Sequence, residues 1–540
     1  MLRRRSRHPS AVGRGPNVPT VTRTTVTNQS GAERLCAPRD DFVLEAPDAR
    51  RPLCFSLAKG PFDHWERMVT VVADDNGDEE GEVVTETISF RLALPVWRVV
   101  FTPLVRRAVV RPASKRRSIW WLPPDRLDAD VARTLARLCL ISLAAGYLGT
   151  LLTQTNTFAK AQFDSSDTAL STMLAGVRLA ALLALAVVAL ADRKGRRSVL
   201  LWSAVAACAL AATGALVPDL AWLGISQTAA RTASTSMAII IGIFAIEEMP
   251  AGSRAYAVSV LAMSAALGAG GCVAALPLAD LGEGGWRLLY LIPLAFLPAV
   301  ALQAHRLRET RRFLATGAAA ATESHVAPHI PTNTSREAKR SQRRRFVLLA
   351  SSALLLSLFT TPASQLLNEY LRTERGFTAF GITLFTILTN TPGGIGVIAG
   401  GRLADRRGRR IVGAVAVGGG VGFTVAMFLA SGPWIWMWSA VGAIVGAAAV
   451  PALGVYGPEL FPTASRGSAN GGINVAAVTG AIVGLLTAGY LSDLFGGLPG
   501  AMAVLAVGPA IVVLLVVFAY PETAHRELED INPSDSRPPP

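Results

Sequence analysis

The sequence predicts an all-α membrane protein of twelve transmembrane helices in two six-helix repeats, preceded by a small N-terminal cytoplasmic region of α/β or β-hairpin character. Three observations lead there. Of the 540 residues, 51% are hydrophobic and only 17% charged, with a mean hydropathy of +0.39, a balance too apolar for an ordinary soluble chain. Twelve apolar runs follow one another, each near the length that a hydrocarbon layer of roughly 30 Å demands. Two charged motifs also recur in the same order at nearly the same offset, the mark of an internal repeat. Val188-Ala189-Leu190-Ala191-Asp192-Arg193-Lys194-Gly195-Arg196-Arg197 matches Gly401-Arg402-Leu403-Ala404-Asp405-Arg406-Arg407-Gly408-Arg409-Arg410 at a spacing of 213 positions, and E-x-x-P-x-x-x-R recurs as Glu247 to Arg254 and Glu459 to Arg466 at a spacing of 212.

Taken in order, residues 1–60 are rich in Arg, Ser, Thr, Pro and Gly and read as a disordered basic tail; the first thirty lack the apolar core of a secretory signal. Residues 61–130 form a small cytoplasmic or membrane-surface region. Within it, Met68-Val69-Thr70-Val71-Val72 and Val83 to Phe90 are β-branched runs flanking a turn-rich stretch, which predicts a hairpin. The run from Leu94 to Val105 is too short to span a bilayer. With Trp97, Arg98, Phe101, Arg106 and Arg107 it suits either the membrane surface or packing against the hairpin. Trp120-Trp121 precede the first span as an aromatic anchor.

The predicted spans are 134–158, 168–190, 198–216, 221–246, 254–278 and 286–304 in a first half (131–305), then 346–370, 379–401, 411–430, 434–456, 466–491 and 499–519 in a second (346–520). A basic linker, 306–345, joins them, and 521–540 form the tail. Lys and Arg crowd the loops at Asp192 and Asp405 and the linker, whereas the opposite loops offer only Lys160, Arg372 and Arg375. The positive-inside rule then places both termini in the cytoplasm of a cell whose plasma membrane the chain crosses.

The net charge of +14 does not indicate nucleic acid, because the basic residues lie in tails and short loops rather than on one folded face. The 5 cysteines show no CxxC spacing and the 6 histidines no paired spacing, so no disulfide framework, metal site or cofactor is expected. No nucleophile, base and metal set converges, so an enzyme is not expected either.

The G-x-L-a-D-[RK]-x-G-R-[RK] loops, one per half, together with twelve spans, resemble the major facilitator superfamily of secondary transporters. Within it, Tyr520-Pro521-Glu522-Thr523 with Leu528-Glu529-Asp530, and Leu307 to Leu314, are similar to stretches of its sugar-porter-like branch. The resemblance implies alternating access around a site between the halves, with the charged loops as a gate. It implies that Asp192, Arg193, Gly195 and Arg196 work with the start of helix 11 near Arg466, and Asp405, Arg406, Gly408 and Arg409 with helix 5 near Arg254. It also implies that Arg196 and Arg409 reach the Glu247 and Glu459 motifs. A helix 5 that lacks the Gly-Pro pair of drug/proton antiporters points away from an exporter.

Ionisable residues inside spans mark substrate or ion paths. Arg178 lies in helix 2 and Arg231 in helix 4, and two cavity arginines favour an anionic solute such as an organic acid; the resemblance gives Arg231 a substrate or coupling role. Helix 7 carries Gln365, Asn368 and Glu369, of which Gln365 and Asn368 loosely resemble the polar stretch of sugar porters, while Glu369 is the candidate proton carrier. Further polar candidates for the cavity are Gln154, Asn156, Gln227, Asn470 and Asn474, and Gly268, Gly480 and Gly484 read as close-packing positions. The expected function is proton-coupled symport of a small polar solute, organic acid or sugar-like, by a monomer in the lipid bilayer. An exporter or antiporter and a non-transporting membrane sensor are the alternatives.

Overall fold

A computed structural model of the chain describes residues 19–73, 82–110, 123, 126–250, 253–310, 336–454, 456–461 and 463–523. They form two compact units, 1–141 with 242–263, and 142–241 with 264–540.

The first unit carries a five-stranded antiparallel sheet in the order β1-β5-β4-β3-β2, built from β1 (Thr20–Thr27), β2 (Leu44–Pro47), β3 (Cys54–Lys59), β4 (Phe62–Ala73) and β5 (Glu82–Leu92). The predicted hairpin is its centre: β4 and β5 pair from Phe62↔Leu92 to Ala73↔Glu82, with Val72 opposite Val83. The tail expected to be disordered instead supplies three strands and a helix between Thr20 and Lys59. The reason is visible in Thr-Val-Thr-Arg-Thr-Thr-Val-Thr, a β-branched strand sequence that pairs along its whole length with β5. Residues 1–18 lie outside the described residues.

Alternation along the strands buries one face of the sheet and leaves the other open, as antiparallel sheets allow. Helix α1 (Gln29–Cys36), whose N-terminal Asn28 accepts the Gly31 N–H at 3.0 Å, covers Phe55, Val69 and Val84. Helix α2 (Arg98–Val109) lays Phe101, Val105 and Val109 on Phe62, Trp65, Ile88, Phe90 and Leu92. Between them lies Arg67, fully buried, donating to Glu45 at 2.7 Å and Glu86 at 3.0 Å and to the carbonyls of Leu35 and Ala37. The indole N–H of Trp65 donates to the same Glu45 at 2.8 Å.

Among the described residues, ten helices are long and apolar enough to cross a membrane. The first helical set comprises α3 (Ala129–Gln162), α4 (Asp167–Val177), α5 (Ala180–Lys194), α6 (Arg196–Thr213), α7 (Leu220–Glu248), α8 (Arg254–Ala275) and α9 (Arg287–His305). The second comprises α10 (Arg336–Gln365), α11 (Ala379–Asn390), α12 (Gly393–Arg407), α13 (Arg409–Leu429), α14 (Pro433–Ala447), α15 (Thr463–Phe495), α16 (Leu498–Leu505) and α17 (Val507–Phe518). Two expected spans fall outside the ten. The 198–216 span is the short α6, which opens on Arg196 and Arg197, and the 379–401 span is broken at Thr391-Pro392 into α11 and α12, because a proline removes a helical hydrogen bond.

Glycines set two close crossings in the second unit. A side chain at Gly146 or Gly268 would strike the Ala265 or Leu143 carbonyl, and one at Gly480 or Gly484 the Leu354 or Leu358 carbonyl. Small residues there let α3 cross α8, and α10 cross α15, backbone against backbone.

Candidate transport site and gates

The two glycine-arginine loops fold into the same device twice. Gly195 ends α5 with φ +92° and Gly408 ends α12 with φ +94°, a region that only glycine enters without strain. Each reversal starts a new helix whose free N–H groups need acceptors. Glu309 accepts from the N–H groups of Arg196 at 3.0 Å and Arg197 at 3.2 Å, and Glu522 accepts from those of Arg409 at 3.0 Å and Arg410 at 3.2 Å. A carboxylate there also meets the positive end of the helix dipole. The next residue takes the arginine: Arg196 Nη1 donates to Thr310 Oγ1 at 3.2 Å, and Arg409 Nη1 to Thr523 Oγ1 at 2.9 Å. Arg197 donates to the His305 carbonyl at 2.8 Å, and Arg410 to that of Val517.

Sequence reasoning named Arg196, Arg409 and both glycines but missed Glu309, Thr310 and Thr523 as their partners. The signal was present, since Glu309-Thr310 and Glu522-Thr523 are themselves 213 positions apart. Glu247 closes α7, half-buried. The side chains of Asp192, Arg193, Arg254, Asp405, Arg406, Glu459 and Arg466 lie outside the described residues.

A substitution tests this clasp directly. A Cβ at Gly408 would lie 2.7 Å from Glu522 Oε2, and the backbone there is unfavourable for any other residue. Gly408→Ala is expected to cost about 1–3 kcal/mol, read as a lower thermal midpoint of the purified protein with slower transport. A midpoint unchanged from the native protein would mean that the clasp carries no strain-sensitive contact.

At the opposite end of the same passes the two helical sets are sewn together. On α3, Thr153 Oγ1 donates to Gln365 Oε1 at 2.9 Å and Asn156 Nδ2 to the Gln365 carbonyl at 2.9 Å. Asn368 Nδ2 donates back to Gln154 Oε1 at 3.0 Å. Lys160 Nζ binds Glu369 Oε1 at 2.7 Å and also Asp167 on α4. Asp167 in turn accepts from Ser492 of α15 at 2.8 Å, and Thr168 donates to Asp493. Asp280, following α8, accepts from the N–H groups of Ala379 and Phe380 that open α11.

The expected helix 7 residues therefore converge on a seam, with Asn368 at the edge of one cavity and Glu369 at the edge of another of about 280 Å³. They sit where α10 breaks: Pro362 lies within it, and the chain past Gln365 continues as a short turn and a widened π segment at Tyr370–Glu374, the kind of irregularity that clusters at functional positions. Glu369 is only 3% exposed; its Oε1 also accepts from Thr373 at 2.7 Å, and its Oε2 has no hydrogen-bond partner among the described residues.

Bordering the seam is a cavity of about 470 Å³ that reaches from Gln154 and Asn368 to Thr386, Asn390, Thr424 and Ser439. Thr386 Oγ1 is buried with no hydrogen-bond partner among the described residues. Thr386 and Asn390, four apart and so on one helix face, were not picked from the sequence; the polar break Asn390-Thr391-Pro392 inside an apolar run was the available cue. Arg231 of α7 donates to the Gly149 carbonyl of α3. Arg178, half-buried where α4 ends, lies close enough to feel its charge. Beside Arg231 and Gln227 the free space is only about 10 Å³.

The comparisons with known proteins fit this anatomy. Among solved structures, the chain is similar to a bacterial homologue of the human lysosomal transporter Spinster in an inward-facing, unoccupied conformation, at 16% identity and TM-score 0.60, over 76% of this chain and 99% of that one. It is also similar to the inward-open xylose transporter of E. coli, at 15% identity and TM-score 0.59, over 75% and 99%. Among characterised sequences it is 26% identical over 219 residues to the cis,cis-muconate transport protein of Acinetobacter baylyi, spanning 39% of this chain and about half, 51%, of that protein. The Major Facilitator Superfamily model matches residues 138–453. That match covers both charged loops, the seam from Thr153 to Glu369 and the cavity lining, and the chain belongs to the major facilitator superfamily.

Proposed function

We propose that this chain is a monomeric, proton-coupled importer of small organic acids in the plasma membrane, with twelve spans, two six-helix halves and both termini in the cytoplasm. The observation that carries the reading is the presence of two arginines inside the helical body, Arg178 where α4 ends and Arg231 of α7 on the Gly149 carbonyl. Two guanidinium groups within each other's field among membrane helices are costly without an anion, and a carboxylate matches the planar fork of arginine. The likeness to a muconate transporter supports the same class, since muconate is a dicarboxylate. The 470 Å³ cavity is in the range of small-ligand sites, and its amide and hydroxyl lining suits a small polar solute.

Coupling falls to Glu369. It holds the seam through Lys160, and taking up a proton removes the charge that Lys160 binds. Each such pair is modest, yet several together bias two states that differ by a few kcal/mol. The Gly195 and Gly408 loops form the gate at the cytoplasmic end.

Uptake of radiolabelled dicarboxylates and of neutral sugars into proteoliposomes under an imposed pH gradient tests this. Acid accumulation that collapses with a protonophore is expected, and Arg231→Gln should lower its uptake by about 30-fold or more, the usual result of removing one partner of a desolvated charge pair. Accumulation of a neutral sugar instead, unaffected by Arg231→Gln, would sink the organic-acid reading.

A further inference from the structure

The geometry points to α2 as a membrane-docking element: we propose that the N-terminal domain rests on the bilayer through the outer face of this helix, with anionic phospholipid headgroups as its partner.

The helix has two apolar faces where a soluble domain needs one. Phe101, Val105 and Val109 face the sheet. On the other side Val96, Val99, Val100 and Leu104 are exposed, Val99 to 81%. At about 100° per residue, Val99, Pro103, Arg107 and Val110 fall on one stripe, flanked by Val100 and Leu104. Three exposed aliphatic side chains on a twelve-residue helix, with Val96 and Val110 exposed just beyond its ends, form a patch that water disfavours. Arg98, Arg106 and Arg107 are exposed with it, and an apolar face rimmed by arginine is the composition of an interfacial helix drawn to negative lipid.

Continuity with the bilayer supports lipid over a protein partner. Immediately before α2, the Trp97 indole N–H donates at 3.0 Å to the carbonyl of Ala136 in α3, a helix that itself qualifies as a membrane span. Ala136 is seven residues into α3, so the start of α2 is pinned about 10 Å along that helix. Arg133 of α3 binds Asp63 of β4 at 3.2 Å, and Arg126 donates to the Asp41 carbonyl at 2.7 Å and binds Asp40. These ties hold the domain to the mouth of α3, where lipid headgroups are its immediate surroundings. The inference stands whatever solute the chain carries.

Nitroxide labels at Val99→Cys, and at Arg50→Cys as a water-facing control, in full-length protein with Cys36→Ser, test it. The protein is placed in nanodiscs of neutral phosphatidylcholine or of phosphatidylcholine with phosphatidylglycerol. At position 99 the label should be relaxed by lipid-soluble oxygen more than by a water-soluble nickel chelate, with the reverse at position 50. Arg106→Glu with Arg107→Glu should lower the docked fraction in the anionic discs by about 30-fold in the docked-to-undocked ratio. Equal nickel accessibility at 99 and 50 in both lipids would overturn the proposal. So would a shielded label at 99 that ignores both lipid charge and the arginine reversal, since that pattern belongs to a protein partner.

Discussion

Replacing Glu369 by glutamine is expected to abolish proton-driven accumulation of the substrate while leaving exchange of labelled for unlabelled substrate in place. Under the proposed coupling, each unit of pH gradient would sustain about tenfold accumulation per coupled proton in the native protein, because one unit corresponds to about 1.4 kcal/mol. Glutamine keeps the shape and the Thr373 contact but offers Lys160 no charge, so the seam is held as if the proton were permanently bound. The carrier then still alternates but gains nothing from the gradient. Accumulation and counterflow in the same proteoliposomes separate the two. Retained accumulation in Glu369→Gln would remove Glu369 from coupling, whereas loss of both accumulation and exchange would assign it to fold or gate alone. Asp167→Asn serves as the comparison, since Asp167 shares Lys160 with Glu369 and also accepts from Ser492 but is more open to solvent than Glu369.

The second large effect lies in the N-terminal domain. Arg67→Ala leaves buried Glu45 without its cation and buried Glu86 with only Arg23 at 3.9 Å, and breaking a buried ion pair from one side typically costs about 3–5 kcal/mol. Cys54 reports on it, being buried in β3 beside this network, where burial pushes its thiol pKa up and makes labelling slow in the folded domain. Opening made easier by that amount corresponds to labelling about 150- to 4,000-fold faster. A rise of less than about tenfold would show that the aromatic core around Trp65 and Phe90 holds the domain by itself. Glu45→Gln with Glu86→Gln in the Arg67→Ala background should restore slow labelling, because it is the orphaned charge that does the damage.

Much of this anatomy was legible in the sequence. Long apolar runs announce membrane helices because lipid leaves the backbone few alternatives, and the β-branched runs around 68–72 and 83–90 announced the central hairpin. The strands between Thr20 and Lys59 were not legible: their Thr, Arg and Pro content mimics a disordered tail, and only pairing of β1 with β5, and of β2 and β3 onto the β4 side, reveals them. The same holds for Gln365, Asn368 and Glu369. Composition marked them as functional, but whether they line a chamber or close a seam depends on helix rotation, which an almost uniformly apolar segment does not fix. Arg196 and Arg409 were found through their spacing. Their acceptors were missed because a carboxylate that receives backbone N–H groups needs no charged partner to betray it.

The two clasps also bear on how the chain is made. Glu309 closes on Arg196 across 113 residues, and Glu522 on Arg409 across 113. Each therefore forms only after the last helix of its own set has been synthesised. During membrane insertion the first clasp can lock before the second set has emerged, so that assembly proceeds as two successive closures. A truncation ending after Thr310 retains Glu309 and Thr310, whereas one ending at His305 removes these acceptors of the Arg196 and Arg197 N–H groups and of the Arg196 side chain and leaves the first set without its final lock.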